Sequence, residues 1–387
     1  MLTHNKRPSI LFLSPDYHNT FSIANELINR GWRTKIWAPT DYPSNLLFSN
    51  SGVTQLKLPL SEKSRFSKYL SVSFQNFWYL SNFWQFDYHV YYGRISKFPF
   101  MERSLRLDRM FGDSFSIALL LARLLRKKII YIPSGCHDEM TKENFGKISN
   151  GIICKNCGFE SKCSDVLNIR NLKAVRRYSS LNIGFGYLET TEYPQKHLKW
   201  KIVPNDFVKS AKLNSRLPES FQKKGLSIYH GFVPSGRDAN GKNIKGTPQI
   251  VKAISRLQDE GHDIQLINVS DKNSNEVRFI QDSCDVILDQ LIYGWWGSTG
   301  VEGMALGKPV ICYLRDEWKH NFFKNYHEYQ DLPVIEANTE NIYEVLLSIL
   351  HDRSILERAS EKSIEFSRKH FDPRSNVDEF IQAIISL

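Results

Sequence analysis

The sequence is poor in the long apolar segments that membrane-spanning helices require, because none of its hydrophobic runs approaches roughly 20 residues. It contains no low-complexity tract and no repeat at the spacing of solenoid proteins. The apolar run near the N-terminus, in MLTHNKRPSILFLSPDY, is too short and too soon interrupted for a signal peptide. These absences favour a cytoplasmic protein whose thiols are reduced.

The composition is that of a globular protein, with 41% hydrophobic and 24% charged residues among 387. The net charge of +10 is uneven, since residues 57–128 carry 13 Lys or Arg against 5 Asp or Glu. The same region holds the aromatic run FSKYLSVSFQNFWYLSNFWQFDYHVYY. Such residues suit an anionic membrane surface, a polyanionic ligand or single-stranded nucleic acid, unless the aromatics are core. No recognised nucleic-acid motif is present, so we expect no nucleic-acid partner.

Two series of short apolar strands alternate with amphipathic helices. The first runs from SILFLSP to KWKIVPND, and the second begins at LSIYHGF. This alternation predicts an α/β fold of two doubly wound, Rossmann-like domains with parallel sheets, facing each other across a cleft. We expect an N-terminal domain at residues 1–208, a linker at 209–225 and a C-terminal domain at 226–365. A last helix within 366–387 is expected to pack back on the N-terminal domain.

A single acid, Glu302, stands in the small-residue segment YGWWGSTGVEGMALGKPV. We expect a helix to begin there, with Ser298, Thr299, Gly300 and Val301 offering backbone N–H groups to a diphosphate. A first-turn Glu302 would then accept hydrogen bonds from a ribose, although an acid at this position can also merely cap its helix. Arg237, Lys242 and Lys245 lie in a Gly-rich loop of the same domain, HGFVPSGRDANGKNIKGT, and can neutralise a diphosphate leaving group.

These two segments resemble the C-terminal half of GT-B glycosyltransferases of the retaining, glycogen-synthase-like kind, over about residues 226–320. The resemblance implies that Lys245, with Arg237 or Lys242, holds the diphosphate of a nucleotide sugar and that Glu302 holds its ribose. It implies retention of configuration and no catalytic metal. Many members carry a second glutamate near the donor sugar, but here that position is Gly294. Sugar recognition there is then lost or performed by the YGWWG segment.

Four cysteines lie close together in the sequence: Cys136, Cys154, Cys157 and Cys163. The spacing C-x2-C-x5-C in a loop with few apolar residues favours structural zinc, with His137 as an alternative to Cys136. Free thiols, a disulfide or an iron–sulfur cluster are the alternatives.

Four polar residues follow predicted strands of the N-terminal domain at the expected edge of the cleft. The resemblance implies a His or Asp near the reacting sugar on this loop, which makes His137 and Asp138 candidates for catalysis, although metal binding competes for them. Asp16 and His18, in SPDYHNTF, are candidates for contacting the acceptor or stabilising the developing charge in catalysis, or else part of a helix-capping turn.

The sequence therefore predicts a glycosyltransferase that uses a nucleotide diphosphate sugar. Its acceptor is expected to be a glycan or lipid-linked glycan of cell-surface polysaccharide or glycolipid synthesis, met at the inner face of the plasma membrane. The alternatives are a GT-B epimerase or phosphorylase, or a protein that binds a nucleotide sugar without turnover.

Overall fold

The computed structural model describes residues 7–13, 15, 17–38, 53–55, 65–93, 117–133, 140–158, 163, 165–184, 193–199, 201, 203, 207–208, 225–231, 238–239, 242–270 and 272–387. Within these ranges no helix is both long and apolar enough to cross a bilayer.

The first half of the chain forms a seven-stranded parallel sheet, in the order β3-β2-β1-β4-β5-β6-β7. Its strands are β1 (Ser9–Leu13), β2 (Arg33–Ala38), β3 (Val53–Gln55), β4 (Tyr88–Tyr92), β5 (Lys128–Ile132), β6 (Leu181–Gly184) and β7 (Lys196–His197). The central strands β1 (SILFL) and β5 (KIIYI) are mostly apolar because helices cover both faces of such a sheet. All five residues of β1 are accordingly buried.

Only some of the helices in this half were predicted from the sequence. They are α1 (Tyr17–Asn29), α2 (Arg65–Asn82), α3 (Ile117–Leu124), the short α4 (Lys142–Phe145) and α5 (Ile152–Lys155), and α6 (Asp165–Tyr178). Helix α1 begins at Tyr17, so His18 lies in a helix and not in the predicted loop. Neither α2 nor α6 was among the predicted elements.

The second half forms a five-stranded parallel sheet in the order β11-β8-β12-β13-β14, with a two-stranded antiparallel hairpin, β9-β10, beside it. The strands are β8 (Leu226–Gly231), β9 (Asp238–Ala239), β10 (Lys242–Asn243), β11 (Ile264–Val269), β12 (Val286–Leu288), β13 (Val310–Cys312) and β14 (Val334–Glu336). The helices are α7 (Thr247–Asp259), α8 (Ser274–Ser283), α9 (Ser298–Ala305), α10 (Asp316–Asn325), α11 (Ile342–His351), α12 (Ser354–His370) and α13 (Pro373–Ile385).

The strand order of this second sheet fixes where a ligand can bind. The chain leaves β8 toward β11 on one side and returns to β12 on the other. The carboxyl ends of β8 and β12 therefore flank a crevice, which is the place where doubly wound sheets hold their ligands.

The last helix contacts the first half of the chain. Arg30, just after α1, donates to the Asp378 carboxylate and to the carbonyl of Arg374, both in α13. The N–H of Val203 donates to the carbonyl of Phe371, just before α13, at 3.3 Å. These contacts connect the end of the chain to its first half. The domain boundaries, with the segment 366–387 as a C-terminal helix of its own, stay a prediction.

Candidate functional site

Lys245 is placed by the turn that joins β10 to α7. The carboxamide oxygen of Asn243 accepts the Lys245 N–H at 2.9 Å, and Gly246, with φ of +78°, turns the chain into the helix. This left-handed conformation is open to glycine at little cost. The turn directs Lys245 inward, and the residue is only 6% exposed.

The ammonium of Lys245 lies at the carboxyl ends of β8 and β12. It donates to the carbonyl of Gly231 at 2.8 Å and to Oδ1 of Asp289 at 3.2 Å. Asp289 directly follows β12 and is fully buried. Its other oxygen, Oδ2, accepts the backbone N–H of Gly297, the residue that precedes α9. The sequence analysis missed Asp289, because one Asp after an apolar strand carries no distinguishing signal.

Helix α9 begins at Ser298, with Thr299 and Gly300 in its first turn. Glu302 lies in the second turn, so its predicted first-turn position is wrong. Its side chain is 3% exposed, and Oε2 accepts a hydrogen bond from Nε2 of Gln281 in α8 at 2.9 Å. Gln281 is a second residue that the sequence analysis missed.

The glycines on either side of Glu302 let α9 lie close to the sheet. A Cβ at Gly303 would stand 2.9 Å from Cγ1 of Ile287, and one at Gly300 would stand 3.0 Å from Oδ2 of Asp289. Side chains at either position would push the helix away from β12. The small residues thereby bring the start of α9 down to Asp289 while Glu302 remains beside α8.

Gly294 occupies the position at which the resembled family places its second acid. Its φ is +84°, and a Cβ there would stand 2.9 Å from Cβ and Cγ of Arg315. Arg315 is buried and donates from Nη1 to the carbonyl of Tyr293 at 2.8 Å. A glutamate is therefore disfavoured here by the backbone and by the space available.

His230 lies at the end of β8, beside the lysine. Its Nδ1 donates to the carbonyl of Leu288 and its Nε2 bonds to Oγ1 of Thr247, both at 2.9 Å. Burial, followed by the charge of Lys245, lowers the pKa of His230 to about 4. The imidazole is therefore neutral at physiological pH and leaves Lys245 as the cation of this pair.

Several predicted site residues cannot be placed. Asp16, Cys136, His137, Asp138 and Arg237 lie outside the described residues, and of His18 only the backbone is described. Lys242 lies in β10 and is half-buried.

The cysteine segment gives no support to the zinc hypothesis. Within the described ranges no group of three or more His, Cys, Asp or Glu side chains is arranged to hold a metal ion. Cys154, Cys157 and Cys163 are half-buried, and burial raises the pKa of the Cys163 thiol. Cys154 and Cys157 instead pack beside an apolar cluster of Met140, Phe145, Ile153 and Ile244.

This cluster joins the two halves of the chain. Ile244 precedes Lys245, and Tyr293, which precedes Gly294, packs against the same cluster. The rings of Phe145 and Tyr293 are 6.3 Å apart. Residues 140–158 of the first half therefore lie against the loops that carry Lys245 and Gly294.

The aromatic run divides between core and surface. Tyr79, Phe83 and Phe86 are buried, whereas Phe77 is 68% and Trp84 57% exposed. Leu124, the last residue of α3, is 67% exposed, and Leu125 after it is 50% exposed. Lys127 connects the segment after α3 to Trp84, because its Nζ donates to the carbonyl of Trp84 at 2.7 Å.

Comparison with known proteins rests on structure alone, since neither a protein-family model nor a curated protein sequence matches the chain. Sucrose-phosphate synthase from Thermosynechococcus elongatus matches with a TM-score of 0.58 at 10% identity, over 98% of this chain and 99% of that one. HepE from Anabaena, solved in complex with UDP-glucose, matches at 0.51 and 11% identity, over 98% and 100%. UDP-GlcNAc 2-epimerase from Neisseria meningitidis, solved with UDP-GlcNAc, matches at 0.50 and 12% identity, over 99% and 100%.

These similarities cover both halves of the chain and both parallel sheets. At such identities they establish the fold and leave the reaction open. The chain has the GT-B fold of glycosyltransferases, as its sequence predicted.

Proposed function

We propose that this protein is a glycosyltransferase that moves a sugar from a nucleoside diphosphate sugar to a hydroxyl acceptor. One observation carries the proposal: the buried ammonium of Lys245 and the start of α9 meet at the crevice between β8 and β12. A buried cation and a helix N-terminus are both suited to an anion. A diphosphate is the anion that such a pair fits best.

In this reaction the bond between the sugar C1 and the diphosphate oxygen breaks, while a bond from C1 to the acceptor oxygen forms. Negative charge develops on the departing diphosphate. Lys245 and the N–H groups of Ser298, Thr299 and Gly300 stabilise that charge, with Lys242 and Arg237 as further cations. The N–H of Val301, which the sequence also assigned to the diphosphate, donates instead to the carbonyl of Gly297 at 3.1 Å. These cations would replace a divalent metal ion, and the family resemblance favours retention of configuration.

Glu302 is proposed to hold the ribose of the donor. Gln281 donates to one of its carboxylate oxygens, which orients the carboxylate. In the sequence, Asp16 and His18 come after β1, and His137 and Asp138 come after β5. We propose that the reacting sugar and the acceptor are bound among these four residues.

The acceptor is proposed to be a lipid-linked glycan, met at an anionic membrane. The support is a surface formed by exposed Phe77, Trp84, Leu124 and Leu125 and by Arg123, Arg126 and Arg177, which we call the basic-aromatic edge. Arg123 donates to the carbonyl of Arg177 at 2.9 Å, which joins the ends of α3 and α6. Basic side chains near an anionic leaflet contribute about 1 kcal/mol each, and exposed aromatics add an apolar part.

The basic-aromatic edge lies beside the amino ends of β4 and β5, and their carboxyl ends point to the cleft. Five residues of strand span about 17 Å. A lipid-linked acceptor must bridge at least that distance, so we propose that it already carries sugars when it binds.

The test of the proposed function is a binding and turnover assay with UDP-glucose, the ligand of one of the similar structures. Lys245→Met is expected to lower the rate of UDP release by about tenfold or more, since hydrogen bonds to a charged group contribute about 1.5–3 kcal/mol. Lys252→Met, at an exposed lysine of α7, is the matched control and should keep the wild-type rate.

The alternative is a GT-B epimerase, which the similarity to UDP-GlcNAc 2-epimerase keeps open. Incubation with UDP-GlcNAc, without any acceptor, separates the two activities. Accumulation of a C2 epimer would establish the epimerase. A failure to bind any nucleoside diphosphate sugar would remove both.

A further inference from the structure

Asp289 connects two parts of the candidate site that are far apart in sequence. One carboxylate oxygen accepts from Nζ of Lys245 at 3.2 Å, and the other accepts from the N–H of Gly297, the residue before α9. The residue is fully buried. The carboxylate of Asp289 therefore sets the distance between the ammonium of Lys245 and the N-terminus of α9.

The charge of Asp289 also matters for Lys245. A buried ammonium is costly unless an oppositely charged group pairs with it. Among the described residues, Asp289 and the carbonyl of Gly231 accept hydrogen bonds from this ammonium. Of these two, only Asp289 is a carboxylate, so it forms the ion pair with Lys245.

Two titratable side chains beside the pair, His230 and Cys312, do not supply a negative charge in place of Asp289. Burial lowers the pKa of His230 to about 4, and burial raises the pKa of the Cys312 thiol well above its usual range, with Asp289 adding to that rise. Both side chains are therefore neutral near pH 7. Neither side chain therefore offers a charge to Lys245 in place of Asp289.

We infer that Asp289 is a positioning residue that holds the ammonium of Lys245 in line with the start of α9, so that both act on one diphosphate. The inference rests on the proposed function, since it concerns the same site. It goes further by assigning recognition of the diphosphate to a carboxylate, which itself would repel that ligand.

The strand that carries Asp289 supplies its own comparison. Asp285 lies at the other end of β12, where its Oδ2 accepts from the N–H and hydroxyl of Ser227 at 2.9 and 2.7 Å. Both aspartates thus accept a backbone N–H of a neighbouring segment. Asp289 differs because it also faces the lysine.

The experiment measures the affinities of UDP and UMP by calorimetry, and their ratio reports recognition of the second phosphate. Asp289→Asn keeps an oxygen for Gly297 but removes the charge beside Lys245. We expect this variant to lower the preference for UDP over UMP by about tenfold or more. Asp285→Asn should lower stability and leave the preference within about threefold of wild type.

A double-mutant cycle with Lys245→Met tests whether Asp289 acts through the lysine. Lys245→Met alone should lower the preference, and adding Asp289→Asn should change it no further. Asp289→Asn alone leaves the buried ammonium of Lys245 without its carboxylate and can therefore fail to fold. The double variant removes this ammonium as well, so the effect of Asp289→Asn can still be measured in it.

An unchanged preference for UDP in folded Asp289→Asn would overturn the inference and leave the proposed function standing. A further loss in the double variant relative to Lys245→Met would overturn it as well. If the wild-type protein does not prefer UDP over UMP, the proposed function is wrong, and the inference falls with it.

Discussion

Gly294 offers a direct test of why this chain lacks the second acid of the family that it resembles. Its φ of +84° belongs to the left-handed region, where a Cβ is unfavourable. In addition, the added carbon would stand 2.9 Å from two carbons of the Arg315 side chain. Arg315 has little freedom to move, because it is buried and bound to the carbonyl of Tyr293.

Gly294→Ala combines two costs of known size. A left-handed non-glycine residue costs about 1–2 kcal/mol, and inserting a carbon into a packed site costs about 1–3 kcal/mol. We therefore expect Gly294→Ala to lower the free energy of unfolding by about 2–5 kcal/mol. Gly261→Ala is the matched control, since Gly261 has φ of +87° and no atom within 4 Å of its added carbon. It should show the backbone cost alone.

Equilibrium denaturation in urea measures both variants against wild type. The difference between them isolates the contact with Arg315. If Gly294→Ala loses no more stability than Gly261→Ala, then Arg315 yields without cost. A glutamate at position 294 would then be excluded only by the backbone, and our explanation for its absence would be wrong.

Four other expectations follow from the site and its surroundings. Glu302→Ala should weaken binding of UDP-glucose by about tenfold or more in calorimetry, and equal affinity would remove Glu302 from the site. The pKa values of His89 and His230, about 4, and of His370, about 3, lie below the ordinary value, so the unfolded chain binds protons that the folded chain does not. Stability should therefore be fully present above about pH 6.5 and fall toward pH 4, by about 2 kcal/mol per histidine at pH 5. Melting temperatures across this range check it, and a flat profile would contradict it. Half-buried Cys154, Cys157 and Cys163 should react with a thiol reagent in the native protein, and buried Cys284 and Cys312 only after unfolding; bound zinc in elemental analysis, with protected thiols, would restore the zinc hypothesis. Finally, Trp84→Ser with Leu124→Ser should reduce flotation with anionic liposomes, whereas Val251→Ser, at an exposed valine of α7, should not; absence of wild-type binding at low salt would remove the membrane proposal.

The sequence predicted most of the sheet elements because their signals are local. Strands such as β1 and β8 are apolar runs buried on both faces, and α7 shows an apolar stripe with Pro248 in its first turn. Helix α2 was missed because its aromatic residues serve two purposes: Tyr79 packs in the core, while Phe77 remains exposed. A pattern that mixes core and surface aromatics has no clear periodicity.

Only those residues of the candidate site that lie in family-like segments were predicted from the sequence. Lys245 and Glu302 stand in recognisable motifs, whereas Asp289 and Gln281 become notable only through their partners. The Lys245–Asp289 pair joins residues 44 apart, and the Gln281–Glu302 pair joins residues 21 apart. Contacts of this kind depend on how strands and helices pack, which no spacing rule encodes.

Residues 140–158 pack against the loops that carry Lys245 and Gly294, and this contact matters for the proposed glycosyl transfer. A glycosyl transfer needs a donor held by one half of a GT-B fold and an acceptor held by the other. Phe145 packs against Tyr293, and Tyr293 is held at its carbonyl by Arg315, the side chain that also fills the space over Gly294. A change at Gly294 therefore moves the contact between the two halves as well as the loop that we propose to face the donor. For that reason the Gly294→Ala variant should alter turnover more than its loss of stability alone would explain, whereas Gly261→Ala, far from this contact in sequence and without a neighbour to displace, should change stability without changing turnover.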